Sequence, residues 1–240
     1  MPWDFYLIFL VLGVLLPWRG HFRLRKLLAI SEVSSRERIA LYLSTILFQW
    51  SAAGVTAWRA LARGLSLQQL GLAPGRWISL LLWAVLGGGI LAALHWLNLR
   101  RMGQLDSARK SHLRAISERI LPQSRRELVP YLTLALTAGI CEEFLYRGFA
   151  MAALFRAGLA AWAVVLLSSL LFGIAHLYQG RSGLAGTFLL GIVFAVARIA
   201  YDSTIPVMAW HAAVDIVAGI AGSRYLLRER AAATPISGSI

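Results

Sequence analysis

The 240-residue chain is 58% hydrophobic, only 15% charged, and carries a formal net charge of +13. Soluble domains hold about 25% charged residues, so the composition excludes an ordinary soluble domain and predicts a membrane protein. The basic excess does not read as a nucleic-acid surface, because it lies in clusters beside apolar segments and no aromatic-interleaved basic motif accompanies it.

In chain order, apolar runs fall at 3–18, 39–62, 77–98, 129–156, 159–178, 183–201 and 204–223, near the ~17–25 residues that a transmembrane helix needs. These predict an all-α, polytopic membrane helix bundle of about seven spans. Its first helix is short and reads as a retained span: Asp4 and the lack of a basic start or small-residue cleavage site argue against a signal peptide. Basic residues cluster at 19–38 (Arg19, Arg23, Arg25, Lys26, Arg36, Arg38) and again over 100–126, the pattern of cytoplasmic loops touching anionic lipid. Within 99–126, Leu105, Leu113, Ile116, Ile120 and Leu121 alternate with Arg109, Lys110, Arg114, Arg119 and Arg125. A basic amphipathic helix on the cytoplasmic membrane surface is expected there. The loop bias predicts the N-terminus outside and the C-terminus inside, and the Arg-, Ala- and Trp-rich composition suits a multi-pass protein of a bacterial inner membrane.

The expected organisation is N-terminal helices and basic loops over 1–128, a polar-sited core over 129–224, and a flexible tail over 225–240. No internal repeat is visible. The single cysteine, Cys141, excludes an intrachain disulfide and reads as a small buried hydrophobe rather than a nucleophile.

Three apolar stretches of the core carry ionisable groups. Cys141-Glu142-Glu143-Phe144-Leu145-Tyr146-Arg147 holds two adjacent acids, Phe172 precedes His176 by four residues, and His211 precedes Asp215 by four. An ionised side chain at mid-bilayer costs about 2.5–3.5 kcal/mol even on the lenient insertion scale, so three such helices point to one shared polar site. Glu143 and Arg147 are i and i+4 and can form an ion pair. Glu142 points elsewhere and lacks that cation, leaving it the more basic acid and the candidate general base. Asp215 either accepts the ring N–H of His211 or joins it on one ligand. Phe172 and His176 share a face, where the ring would wall the site. Gly148, Gly173, Gly186, Gly191 and Gly219 would let the helices close around it.

Taken in order, Glu142-Glu143-x-x-x-Arg147, Phe172-x-x-x-His176 and His211-x-x-x-Asp215 resemble the three-motif signature of the CAAX protease and bacteriocin-processing (Abi) family, the glutamic-type intramembrane proteases. Leu70-Gly71-Leu72 before a span is similar to the family as well. The resemblance implies an intramembrane endopeptidase acting on a membrane-associated protein or peptide. Glu142 and His176 would activate a water, His211 and Asp215 would stabilise the oxyanion, and Glu143 and Arg147 would support them. The family often has Asn where this chain has Asp215; an ionised Asp would repel an oxyanion, so Asp215 would act either protonated or by orienting His211. No cofactor is required by this chemistry. A divalent metal such as zinc, were one bound, would draw on Glu142, His176, His211 and Asp215. Two other readings compete: a proton- or ion-coupled transporter using the same groups as a relay, and a catalytically idle immunity or scaffold protein of the same fold.

Overall fold

A computed structural model describes residues 1–73, 75, 77–104 and 107–227, with backbone alone for 107–112. Leu105 and the side chains of Arg109 and Lys110 fall outside the described residues, as does the expected 225–240 tail from Arg228 onward, whereas Tyr225 and Leu226 of that tail are helical and Leu226 is buried.

The described residues are helical without strands. The helices are α1 (Trp3–Ala29), α2 (Ser35–Ala62), α3 (Trp77–Gly103), α4 (Ser107–Ile120), α5 (Arg125–Arg156), α6 (Ala161–Ala175), α7 (Leu177–Tyr201) and α8 (Ile205–Leu226). Six are long and apolar enough to cross a membrane, namely α1, α2, α3, α5, α7 and α8. The chain is thus a multi-pass membrane protein. The fifth expected span, 159–178, is α6, apolar but shorter, because the chain turns at His176–Gln179 before α7 begins its regular course. The first helix is longer than the 3–18 run. Pro17 lacks an N–H and crowds the carbonyl four residues back, yet the widened π turn at Val11–Leu15 loosens the backbone there and the helix continues to Ala29.

Local signals set several boundaries. Ser34 and Glu37 form a reciprocal capping box at the start of α2, with Ser34 N donating to Glu37 Oε2 at 2.8 Å and Glu37 N to Ser34 Oγ at 3.3 Å. Asp202 ends α7 in the left-handed region at φ 50°, a conformation Asp tolerates better than most side chains. Pro206 sits in the first turn of α8, where its missing N–H costs nothing.

The centre of the bundle is α5. It packs against α2 on one side and α8 on another, α3 covers α8, and α6 pairs with α7. Every residue from 143 to 154 is buried, whereas α1, α2 and α3 expose Trp3, Leu47, Trp58, Ile78 and Val85, the apolar exterior that lipid accepts. A widened turn at Phe144–Ala150 lies immediately after the two adjacent glutamates; such turns often mark functional positions. The Leu70-Gly71 loop is wedged against this centre. Leu70 is 1% exposed, and its carbonyl accepts from Thr204 Oγ1 at 3.0 Å. The Gly71 carbonyl accepts from Thr204 N at 2.9 Å. Gly71 has φ +71° and no room for a side chain, since a Cβ would lie 2.4 Å from Arg198 Nε.

The α4 segment docks on the protein. Arg119 donates to the carbonyls of Leu27 (2.8 Å) and Ile30 (3.1 Å), and Ile116 and Leu121 are buried. Buried Arg38 of α2 ties the same end together, pairing with Glu127 at 2.9 Å and donating to the Glu118 carbonyl at 2.7 Å.

Close helix approach rests on particular glycines. A Cβ on Gly139 would meet the Met208 carbonyl oxygen at 2.6 Å and Ala212 N at 2.8 Å, and one on Gly191 would meet Arg147 Nη2 at 3.0 Å. Gly148, Gly173 and Gly219 are similarly hemmed in, but Gly186 faces open space and closes nothing. Gly139 precedes Glu143 by one helical turn, so the α5–α8 spacing it permits also sets how near Glu143 comes to His211. Gly139→Ala is expected to cost about 1–3 kcal/mol through overpacking, read as a lowered thermal midpoint in detergent.

Candidate active site

The three motif-bearing segments converge. Glu142, Glu143 and Arg147 come from α5, His176 from the residue following α6, and His211 and Asp215 from α8. Within α5, Arg147 Nη1 donates to Glu143 Oε1 at 3.0 Å, both side chains being fully buried. The same Oε1 lies 2.8 Å from His211 Nδ1. A carboxylate only accepts, so this geometry puts a hydrogen on Nδ1 and gives it to Glu143. Asp215 stands on the other side of the ring, its Oδ2 3.6 Å from His211 Nε2, beyond direct hydrogen-bond reach. The orienting contact on His211 therefore comes from Glu143 across the helix interface.

His176 Nδ1 is 2.9 Å from the Phe172 carbonyl oxygen. A carbonyl has no hydrogen to give, so Nδ1 is the donor and Nε2 is left with its lone pair in the neutral ring. That Nε2 faces Glu142 Oε2 across 3.8 Å. Glu142 takes no part in the Arg147 pair. Its other oxygen accepts from Gln49 Nε2 of α2 at 2.6 Å.

Phe172 walls the cluster. Its ring centroid lies 4.6 Å from that of His176 and 5.7 Å from that of His211, the latter edge-on, and the Arg147 guanidinium sits 4.3 Å over its face. Arg147 also donates to the Gly191 carbonyl at 3.1 Å, joining α7 to the site. The buried cation is thus held by a carboxylate, a carbonyl and an aromatic face.

The motifs did not point to Gln49, although a lone amide between Phe48 and Trp50 in an apolar span is a visible signal. Cys141 is fully buried in the apolar cluster with Phe144, Leu145 and Phe149 and meets no reacting group. Among the described residues, no three His, Cys, Asp or Glu side chains converge on a position that could hold a metal ion.

An all-helical, multi-pass membrane protein with a carboxylate–imidazole cluster at the centre of the bundle is the class that fold and site define. Residues 124–217 match the family described as Type II CAAX prenyl endopeptidase Rce1-like, consistent with the CAAX protease and bacteriocin-processing family that the motifs resemble. All the motif residues lie within that segment. At family level the match supports a CAAX-type intramembrane endopeptidase, a hydrolase of peptide bonds acting on a membrane-associated protein. No curated protein and no solved structure matches the chain.

Proposed function

We propose that the chain hydrolyses a peptide bond of a membrane-associated protein or peptide with a water held between Glu142 and His176. The observation that carries this reading is the 3.8 Å gap between Glu142 Oε2 and His176 Nε2, two acceptors facing each other with the imidazole's own hydrogen already given to Phe172. Two acceptors so placed attract a common donor, and a water giving one hydrogen to each spans such a gap. Glu142 takes a proton as the water oxygen attacks the scissile carbonyl carbon. The same proton then passes to the departing amine, leaving a carboxylic acid, which keeps the water's other hydrogen, and a free amine as products. His211 keeps its Nδ1 hydrogen on Glu143; as an imidazolium between the Glu143 and Asp215 carboxyl groups it carries a second hydrogen on Nε2, on the Asp215 side, and that N–H donates to the oxyanion. Asp215 acts protonated, or by holding that N–H in line. The basic segments face a bacterial cytoplasm and its anionic lipid, with the N-terminus outside and the C-terminus inside, a topology in which the shorter α6 serves as a seventh crossing.

The test compares wild type with His176→Ala in the native host at matched expression, reading new protein termini across the membrane proteome by mass spectrometry. Loss of one cleavage, by about a hundredfold or more, is the expected result and identifies the substrate. Unchanged termini would favour the ion-coupled transporter or idle scaffold instead.

A further inference from the structure

Gln49 lies in the middle of α2, ninety-three positions before the glutamate it touches. Its amide nitrogen donates to Glu142 Oε1 at 2.6 Å, and that is the hydrogen bond the Glu142 carboxylate makes within the protein. The other end of the same amide, Oε1, is buried with no hydrogen-bond partner. An ionised carboxylate accepts and never donates, so only the NH2 end of Gln49 can face it. The amide is locked in one orientation, and its carbonyl is left unmet as a consequence. An unmet buried carbonyl is destabilising. Methionine, of the same length, would fill the space without that penalty, so the amide is not there for packing.

Its effect falls on Glu142. The terminal torsion of a glutamate is broad and roughly two-fold, with no staggered well to fix it. Arg147, the nearest cation on α5, is committed to Glu143 and to the Gly191 carbonyl. Without Gln49, no other side chain among the described residues donates a hydrogen bond that would hold the plane of the Glu142 carboxylate. The α2 helix that presents the amide is itself fixed against α5. Trp50 Nε1 donates to Thr137 Oγ1 at 3.3 Å one turn before the site, and Arg38 pairs with Glu127 at the far end.

We propose that Gln49 is a positioning residue for Glu142, pinning Oε1 so that Oε2 faces His176 Nε2. The proposal rests on the reading of Glu142 and His176 as the water-activating pair. It brings a side chain of α2 into a site whose other polar side chains come from the three motif segments. Misplacing a reacting group by about 1 Å can cost a hundredfold in rate, and here the group displaced would be the base rather than a substrate-binding surface.

The test uses full-length protein in proteoliposomes and a quenched-fluorescent peptide copying the cleavage segment found by the wild-type against His176→Ala comparison. Gln49→Met is expected to lower kcat by about tenfold to a hundredfold, with KM within twofold and the thermal midpoint unchanged or raised. A purely structural role would instead lower the midpoint and leave the kcat of the folded fraction intact. Gln49→Asn keeps the amide but falls a methylene short. It should lose kcat in the same way, and it decides the matter if the Met variant fails to insert. Either folded variant turning over within twofold of wild type overturns the proposal while leaving the peptidase reading in place. If the host comparison yields no cleavage segment, the peptidase reading falls and the proposal falls with it.

Discussion

Glu142→Gln is expected to lower turnover by about 10²–10⁴-fold, the usual contribution of a general base, with no loss of thermal stability. The amide is isosteric and can still accept from Gln49, whose bond is to Oε1 at 2.6 Å. The substitution also leaves the buried pair of Arg147 and Glu143 untouched. Only the capacity to take a proton from water is removed. The side chain of Glu142 is 20% exposed, against 0% for Glu143, so the acid that reaches open space is the one without the arginine. Turnover of the quenched peptide by folded Glu142→Gln at a tenth of the wild-type rate or more would place the base elsewhere. Equal losses in Glu142→Gln and His176→Ala, with no further loss in the double variant, would show the two acting as one unit.

What the sequence made legible was whatever lies along one helix. The four-residue spacings of Glu143 with Arg147, His211 with Asp215 and Phe172 with His176 place each pair on a common face, and the structure has those members at 3.0 Å, 3.6 Å and 4.6 Å between rings respectively. Contacts between helices were not legible, because spacing says nothing about which neighbour a face meets. His211 gives its close hydrogen bond to Glu143, 68 positions away, although Asp215 was the partner its own helix suggested. Gln49 belongs to the same class of contact. Helix ends were legible only where a cap or turn residue marks them. The box of Ser34 and Glu37 is such a case, whereas the 3–18 apolar run suggested an end near Pro17 that the helix, loosened by the widened turn before it, passes through. Gly186 shows the reverse error: a glycine in an apolar span implies close packing only if a partner helix lies on that side, and no described neighbour comes within 4 Å of a Cβ placed there.

Arg147→Ala is expected to be the most destabilising substitution in the site, by about 3–5 kcal/mol, the usual result of breaking a buried ion pair. Arg147 heads the largest fully buried side chains of the protein. Truncation leaves Glu143 with an uncompensated charge whose Oε2 is already buried and unpartnered. It also removes the donor to the Gly191 carbonyl and the cation over the Phe172 ring, and opens a cavity between α5 and α7. Glu143→Ala should cost a similar amount by the reverse logic, stranding the guanidinium and freeing His211 Nδ1. The pair Glu143→Leu with Arg147→Met separates stability from function. Replacing both ions by apolar groups of similar size is often neutral or stabilising, so the double variant should melt close to wild type. It should nevertheless turn over the quenched peptide at least tenfold more slowly, because His211 loses the acceptor that fixes its ring. Thermal midpoints and initial rates of the three variants, measured side by side in proteoliposomes, check this. A double variant that recovers both stability and rate would mean that Glu143 and Arg147 only hold the helices together, and that His211 needs no orienting partner.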